Sequence, residues 1–185
     1  MDDEKGVKKP LLLSSLSAMK KKLLPPPFLA EVRLFSLLLA LIFACGYGGL
    51  AAYNLHRVDH PCPCQMQAQS WFLQCYELEG EEAVAAAVAL GRGIVWCSAP
   101  QAAAAAPALL LLQLARGGLG IRLRALALVA LAAAAANHVM YFKILGILRA
   151  SNPGELSLAE PVAVLFAAAL DMLGFVAFLP GGDDE

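Results

Sequence analysis

Leu34 to His56 is a run of 23 residues that contains no Asp, Glu, Lys or Arg. As a helix rising about 1.5 Å per residue, such a run crosses a hydrocarbon core about 30 Å thick, and this constrains the fold more than any other feature of the chain. Gly93 to Ala115 is a second charge-free run of 23 residues, and further apolar stretches open at Ala125 and Leu158. Composition agrees. Hydrophobic residues make up 59% of the chain and charged residues 16%, with a mean hydropathy of +0.65, whereas a soluble domain carries roughly 25% charged residues. A disordered chain is excluded, and a net charge of -1 leaves no field to attract nucleic acid.

The expected organisation is all-α: a polytopic integral membrane protein whose four transmembrane helices form an antiparallel bundle. Residues 1–33 form a basic cytoplasmic segment. The membrane domain covers 34–180, with spans at about 34–55, 93–115, 125–149 and 158–179, an outer loop at 56–92 that carries cysteines, and an acidic tail at 181–185. The leader includes Asp2, Asp3 and Glu4, which reads against a cleaved signal peptide. Leu11 to Leu16 beside Lys20, Lys21 and Lys22 form either a helix lying on an anionic membrane surface or a disordered tail. Pro25 to Pro27 read as a polyproline spacer.

Pro100 and Pro107 interrupt the second run. One kinked span is preferred to two spans split at Pro100, because the split buries Arg92 near mid-bilayer at about 2.5 to 3.5 kcal/mol. Ser151-Asn152-Pro153-Gly154 is a turn signal, and Ser157 with Glu160 matches a capping box that opens the last helix. With the N-terminus cytoplasmic, the inner segments hold ten basic residues, and the outer ones hold four: Arg57, Arg92, Lys143 and Arg149. The positive-inside rule therefore places both termini in the cytoplasm.

Small residues at Ser36, Ala40, Ala44, Gly48 and Ala52 recur every four positions. In lipid, such a ridge lets a second backbone approach closely and gain dispersion contacts. The leading functional expectation rests on it: a structural or assembly subunit that binds other membrane proteins, or itself, through this face. Lipid contacts are expected, with no nucleic acid, no cofactor and no catalytic residues.

Cys62, Cys64, Cys75 and Cys97 are disulfide candidates if the outer side is oxidising. His56, His60, Cys62, Cys64 and Cys75 are weak metal candidates, since zinc ligands usually come as Cys-x2-4-Cys and not Cys-x-Cys. A membrane thiol oxidoreductase stays open, although no Cys-x-x-Cys occurs. Four spans with Cys64, ten residues and then Cys75 resemble the claudin group in layout. That family's Gly-Leu-Trp before the first loop cysteine is missing and Trp71 falls between the two cysteines, so the resemblance implies layout and no activity.

The sharpest chemical candidate is intramembrane polarity at Asn137, His138, Tyr141, Lys143 and Asp171. Asp171 lies 13 residues into the last span, about 20 Å deep, and His138 lies about 16 Å below the same end. An Asp at that depth needs a partner, water or a proton. Ala163, Ala167 and Gly174 share its expected face, and Lys143 either approaches Asp171 or snorkels outward. An alternative function follows, a proton-coupled or small-solute transporter that uses the Asp/His pair. The competing reading is an interhelical hydrogen bond that only fixes packing. After alkaline extraction the protein is expected in the membrane pellet, and tags on its two termini should be accessible from the same face; recovery from the supernatant refutes this topology.

Overall fold

The charge-free runs fold as helices. In a computed structural model, residues 26–59, 67–69, 75–78, 80–114, 120–153 and 157–180 are described. They form α1 (Pro26–Asp59), α2 (Glu81–Leu114), α3 (Ile121–Ser151) and α4 (Ala159–Phe178), all four long and apolar enough to cross a membrane. Two three-residue strands, β1 (Gln67–Gln69) and β2 (Cys75–Glu77), pair antiparallel in the loop between α1 and α2, with Gln67 opposite Glu77 and Gln69 opposite Cys75. The all-α expectation did not include them. A polar connection between long helices still has peptide groups to satisfy, and a short ladder does so locally.

Proline behaves differently from the sequence expectation at the start of α1. Pro26 and Pro27 lie inside the first turn of the helix instead of in a polyproline spacer. The first four N–H groups of a helix have no intrahelical acceptor, so a residue without an N–H costs nothing there. Pro100 and Pro107 lie within α2, which remains one continuous helix of 34 residues. Residues 83–99 and 101–115 are therefore not two helices split at Pro100. Gly80, at φ +91°, precedes α2 in a conformation that side chains rarely adopt, and its carbonyl accepts the Val84 N–H.

Alanine is prominent in the interior, and many large apolar side chains lie on the exterior. Ala40, Ala44, Ala104, Ala105, Ala108, Ala127, Ala130 and Ala134 are buried, whereas Phe35, Ile42, Trp96, Phe142, Leu165 and Phe166 are exposed. Small side chains at helix contacts let the backbones approach closely and gain dispersion contacts. The alanine-rich stretches at 102–106 and 132–136 supply this close packing. α1 and α3 touch each other and both contact α2 and α4. Two apolar clusters result. One, around Leu37, Ala105, Leu131 and Phe178, lies toward the start of α1 and the end of α4. The other, around Tyr47, Ile94, Tyr141 and Leu148, lies toward the opposite end, where Leu78 packs against it just after β2.

The small-residue ridge of α1 is used inside the chain. Ser36, Ala40 and Ala44 are buried, Gly48 is half-buried against Ser98 of α2, and Ala52 is exposed. Ser36 meets Gly174 of α4 so closely that a methyl group at position 174 would collide with the serine side chain. Ser36 Oγ, in turn, donates to the Arg33 carbonyl. The face expected to bind another subunit is thus filled by α2 and α4, because the close approach it permits is satisfied first by the tethered neighbours.

The end of the bundle where α1 begins and α4 finishes is fixed by Arg33. Its Nε donates to the Ala177 carbonyl at 2.9 Å, and its guanidinium carbon stands 5.8 Å from the centre of the Phe178 ring. A helix leaves its last four carbonyls without intrahelical donors, and a cation there also complements the helix dipole. Gly174→Val is expected to destabilise the protein by about 1 to 3 kcal/mol through overpacking against Ser36. Gly49→Ala, where a Cβ meets nothing within 4 Å, should stay within about 0.5 kcal/mol of the parent. Unfolding midpoints in detergent or bicelles measure both.

Candidate functional site

α4 presents one inward stripe: Glu160, Val164, Ala167, Asp171, Gly174 and Ala177 with Phe178 are its buried residues. The spacing follows the helical period of 3.6. Ala163 falls off this stripe and is exposed, so it does not flank Asp171 as its sequence position suggested. Glu160 and Asp171 stand eleven residues apart, three helical turns or about 16 Å, and are 2% and 3% exposed.

Asp171 is reached from α3 and α1. His138 Nε2 lies 2.9 Å from Asp171 Oδ2, and His138 Nδ1 lies 3.0 Å from the Tyr47 hydroxyl. With Asp171 ionised, one proton arrangement serves all three groups: the Tyr47 O–H donates to Nδ1, and Nε2–H donates to the carboxylate. The imidazole is further confined by aromatic edges, since Phe43 and Tyr47 stand 5.2 and 5.4 Å from it, centre to centre, in T-shaped contact. Asp171 Oδ1 is buried without a hydrogen-bond partner. A second polar group lies beside this series. The Tyr141 hydroxyl donates to Glu160 Oε1, and the Tyr141 ring stacks on that of Tyr47 with centroids 4.7 Å apart.

α2 contributes neutral polar groups to the same level of the bundle. Asn137 Nδ2 donates to Gln101 Oε1 at 2.6 Å and to Ser98 Oγ at 3.2 Å, and Gln101 Nε2 donates to the Ala40 carbonyl at 2.7 Å. This layer links α1, α2 and α3 next to the imidazole. Asn137 Oδ1 is a second buried acceptor without a partner. Unpaired buried acceptors are uncommon and costly, so two in one layer mark a place where packing has not been optimised for stability alone.

Of the expected intramembrane residues, the structure brings Asn137, His138, Tyr141 and Asp171 into the interior and leaves Lys143 outside. Lys143 is exposed on α3 and does not join Asp171, because five residues of helix turn it to a different face from His138. Tyr47, Ser98, Gln101 and Glu160 were missed. Tyr47 lay within a charge-free run, but it follows Ala40 and Ala44 at helical spacing, which was a usable signal. Glu160 was assigned to a capping box. Instead, Ser157 Oγ accepts from the Ala159 N–H while the Glu160 carboxylate turns inward to Tyr141.

Cys97 is a free thiol halfway along α2, and Cys45 is a free, exposed thiol on α1. Cys97, expected near the outer end of the second span, is therefore not a disulfide partner: α2 begins at Glu81 and places it mid-helix. Cys62, Cys64 and His60 lie outside the described residues, and Cys75 is described only as part of β2. His56 is exposed near the end of α1, and among the described residues no group of three or more His, Cys, Asp or Glu is arranged to hold a metal ion. No family model, curated protein or solved structure matches the chain.

A double-mutant cycle of Tyr47→Phe with Asp171→Asn should give a coupling energy between about 0.6 and 2 kcal/mol, the range for interhelical hydrogen bonds in lipid. Zero coupling in thermal or steric-trapping measurements removes the shared imidazole as their link. Cys97 in folded protein should react with a membrane-permeant maleimide without prior reduction; a requirement for reductant contradicts the free thiol.

Proposed function

We propose that the chain is an integral membrane protein, threaded as an antiparallel four-helix bundle with both termini cytoplasmic, and that it carries out proton-coupled transport through its polar core. One observation carries this reading: Asp171 sits on the inward stripe of a span-length helix, held by a Tyr47–His138 pair, with one carboxylate oxygen unpaired. Magnitudes favour function over packing. An Asp at the centre of a transmembrane helix costs about 2.5 to 3.5 kcal/mol on insertion scales, whereas an interhelical hydrogen bond contributes about 0.6 kcal/mol on average. An apolar residue would hold the helices together at lower cost.

His138 is the relay element. Neutral imidazole accepts at one nitrogen while donating at the other, so a proton arriving at Nδ1 is matched by one leaving Nε2 to Asp171. The assembly role has less support, because the ridge on which it rested is buried against α2 and α4. A subunit contact would need another face.

Purified protein in vesicles loaded with a pH-sensitive dye should acidify or alkalinise the lumen under an imposed potassium diffusion potential. Asp171→Asn should reduce the rate at least about tenfold, in line with loss of an acid–base group, while remaining monodisperse in detergent. Rates equal to those of protein-free vesicles, or unchanged in Asp171→Asn, overturn the proposal.

A further inference from the structure

Hydrogen-bond accounting in the polar layer leaves a surplus of one kind. The nitrogen donors are committed: His138 Nε2 to Asp171, Asn137 Nδ2 to Gln101 and Ser98, and Gln101 Nε2 to the Ala40 carbonyl. The Tyr47 hydroxyl serves His138 Nδ1. Among the described residues, two side-chain atoms of this layer are buried without a hydrogen-bond partner, Asp171 Oδ1 and Asn137 Oδ1. Both are oxygens that can only accept when the acid is ionised.

Charge has the same sign. In the proton arrangement that serves Tyr47, His138 and Asp171 together, the imidazole is neutral and the carboxylate keeps its full charge. The described residues around it do not offset that charge. α1 brings Tyr47, α3 brings His138 and, three residues on, Tyr141, α2 brings the neutral Ser98 and Gln101, and α4 itself carries a second acid, Glu160, three turns away. Arg33 serves the Ala177 carbonyl, six residues or about 9 Å further along α4, and Lys143 is exposed. A buried carboxylate without a cationic partner is costly, and hydrogen bonds from neutral groups relieve only part of that cost.

We infer that the polar layer binds one monovalent inorganic cation, with Asp171 Oδ1 as its charged ligand. Carboxylate and amide oxygens are hard donors, suited to cations of this kind, and Asn137 Oδ1 is the neutral oxygen left over in the same layer. One carboxylate matches one unit of charge. Calcium-type ions take six or more oxygens, several of them from carboxylates, and among the described residues no group of three or more His, Cys, Asp or Glu is gathered. Packing sets the size. Asn137, His138 and Asp171 are 0%, 2% and 3% exposed, and the Phe43 and Tyr47 rings stand 5.2 and 5.4 Å from the imidazole, which favours an ion of atomic size over an organic cation. The site shares with the proton reading above the premise of an ionised Asp171 and adds a second occupant for that carboxylate; binding at equilibrium requires no flux.

Sodium is the probe. Full-length protein in bicelles is melted at fixed pH and fixed total chloride while choline is exchanged for sodium, with lithium and potassium as further arms. Going from about 1 to about 100 mM sodium should raise the melting midpoint by about 2 °C or more, as for a ligand that binds only the folded state. Equal midpoints in choline and in all three alkali chlorides overturn the inference and leave the two oxygens to water. Asp171→Asn should abolish the sodium effect; an effect that survives places the ion elsewhere and overturns the site. Infrared difference spectra give a readout that does not depend on that variant folding. Sodium should shift one carboxylate stretching band in the parent and equally in Glu160→Gln, and a spectrum indifferent to sodium, or a shift lost in Glu160→Gln, contradicts Asp171 as the ligand. Proton flux that persists without any sodium effect removes this inference alone, whereas sodium binding in a protein without flux removes the transport reading alone.

Discussion

The hydrogen bond between His138 and Asp171 is the contact on which the rest of the structure depends. Asp171 is buried on the inward face of its helix, and a buried carboxylate is costly unless a group of the protein pairs with it. The partner is an imidazole near the middle of α3, and an imidazole has two nitrogens to satisfy. Its second nitrogen draws Tyr47, and so α1, into the same layer. One buried acid therefore fixes the relative position of three helices.

The small residues make that arrangement possible. Ser36 against Gly174 and Ser98 against Gly48 bring backbones close enough for side chains to bridge between helices. Bulk at those positions would hold α1 away from α4 and α2 and leave the polar layer unsatisfied. Arg33 completes the design at the other end, where it serves a carbonyl of the last turn of α4. Packing and polarity are thus one device: the ridge supplies proximity, and the polar groups select which registry is used.

Much of this was legible from residues taken one helix at a time. Charge-free runs specify helices of spanning length whatever their neighbours, and Asn152 after a long apolar stretch marks where α3 stops, with both its backbone N–H and its side-chain amide on the Leu148 carbonyl. The pairing of His138 with Asp171 followed from similar depths, about 16 and 20 Å, below a short turn. Glu160 shows where such reading stops. Ser-x-x-Glu is a local pattern with a local meaning, but the carboxylate is claimed by Tyr141, nineteen positions earlier in the chain. Local chemistry cannot register a competitor that only folding brings within reach.

What the amino-acid order determined by itself was therefore the set of helices and the presence of polar groups within them, because hydropathy and length act along the chain and need no partner. Tertiary structure alone decided which faces meet. It turned the Ser36 ridge inward, sent Lys143 out, left Cys97 as a free thiol within a helix, and set Tyr47 and Tyr141 face to face between two acids. Those outcomes depend on the rotation of each helix about its axis, and that rotation is fixed by contacts between residues far apart in sequence.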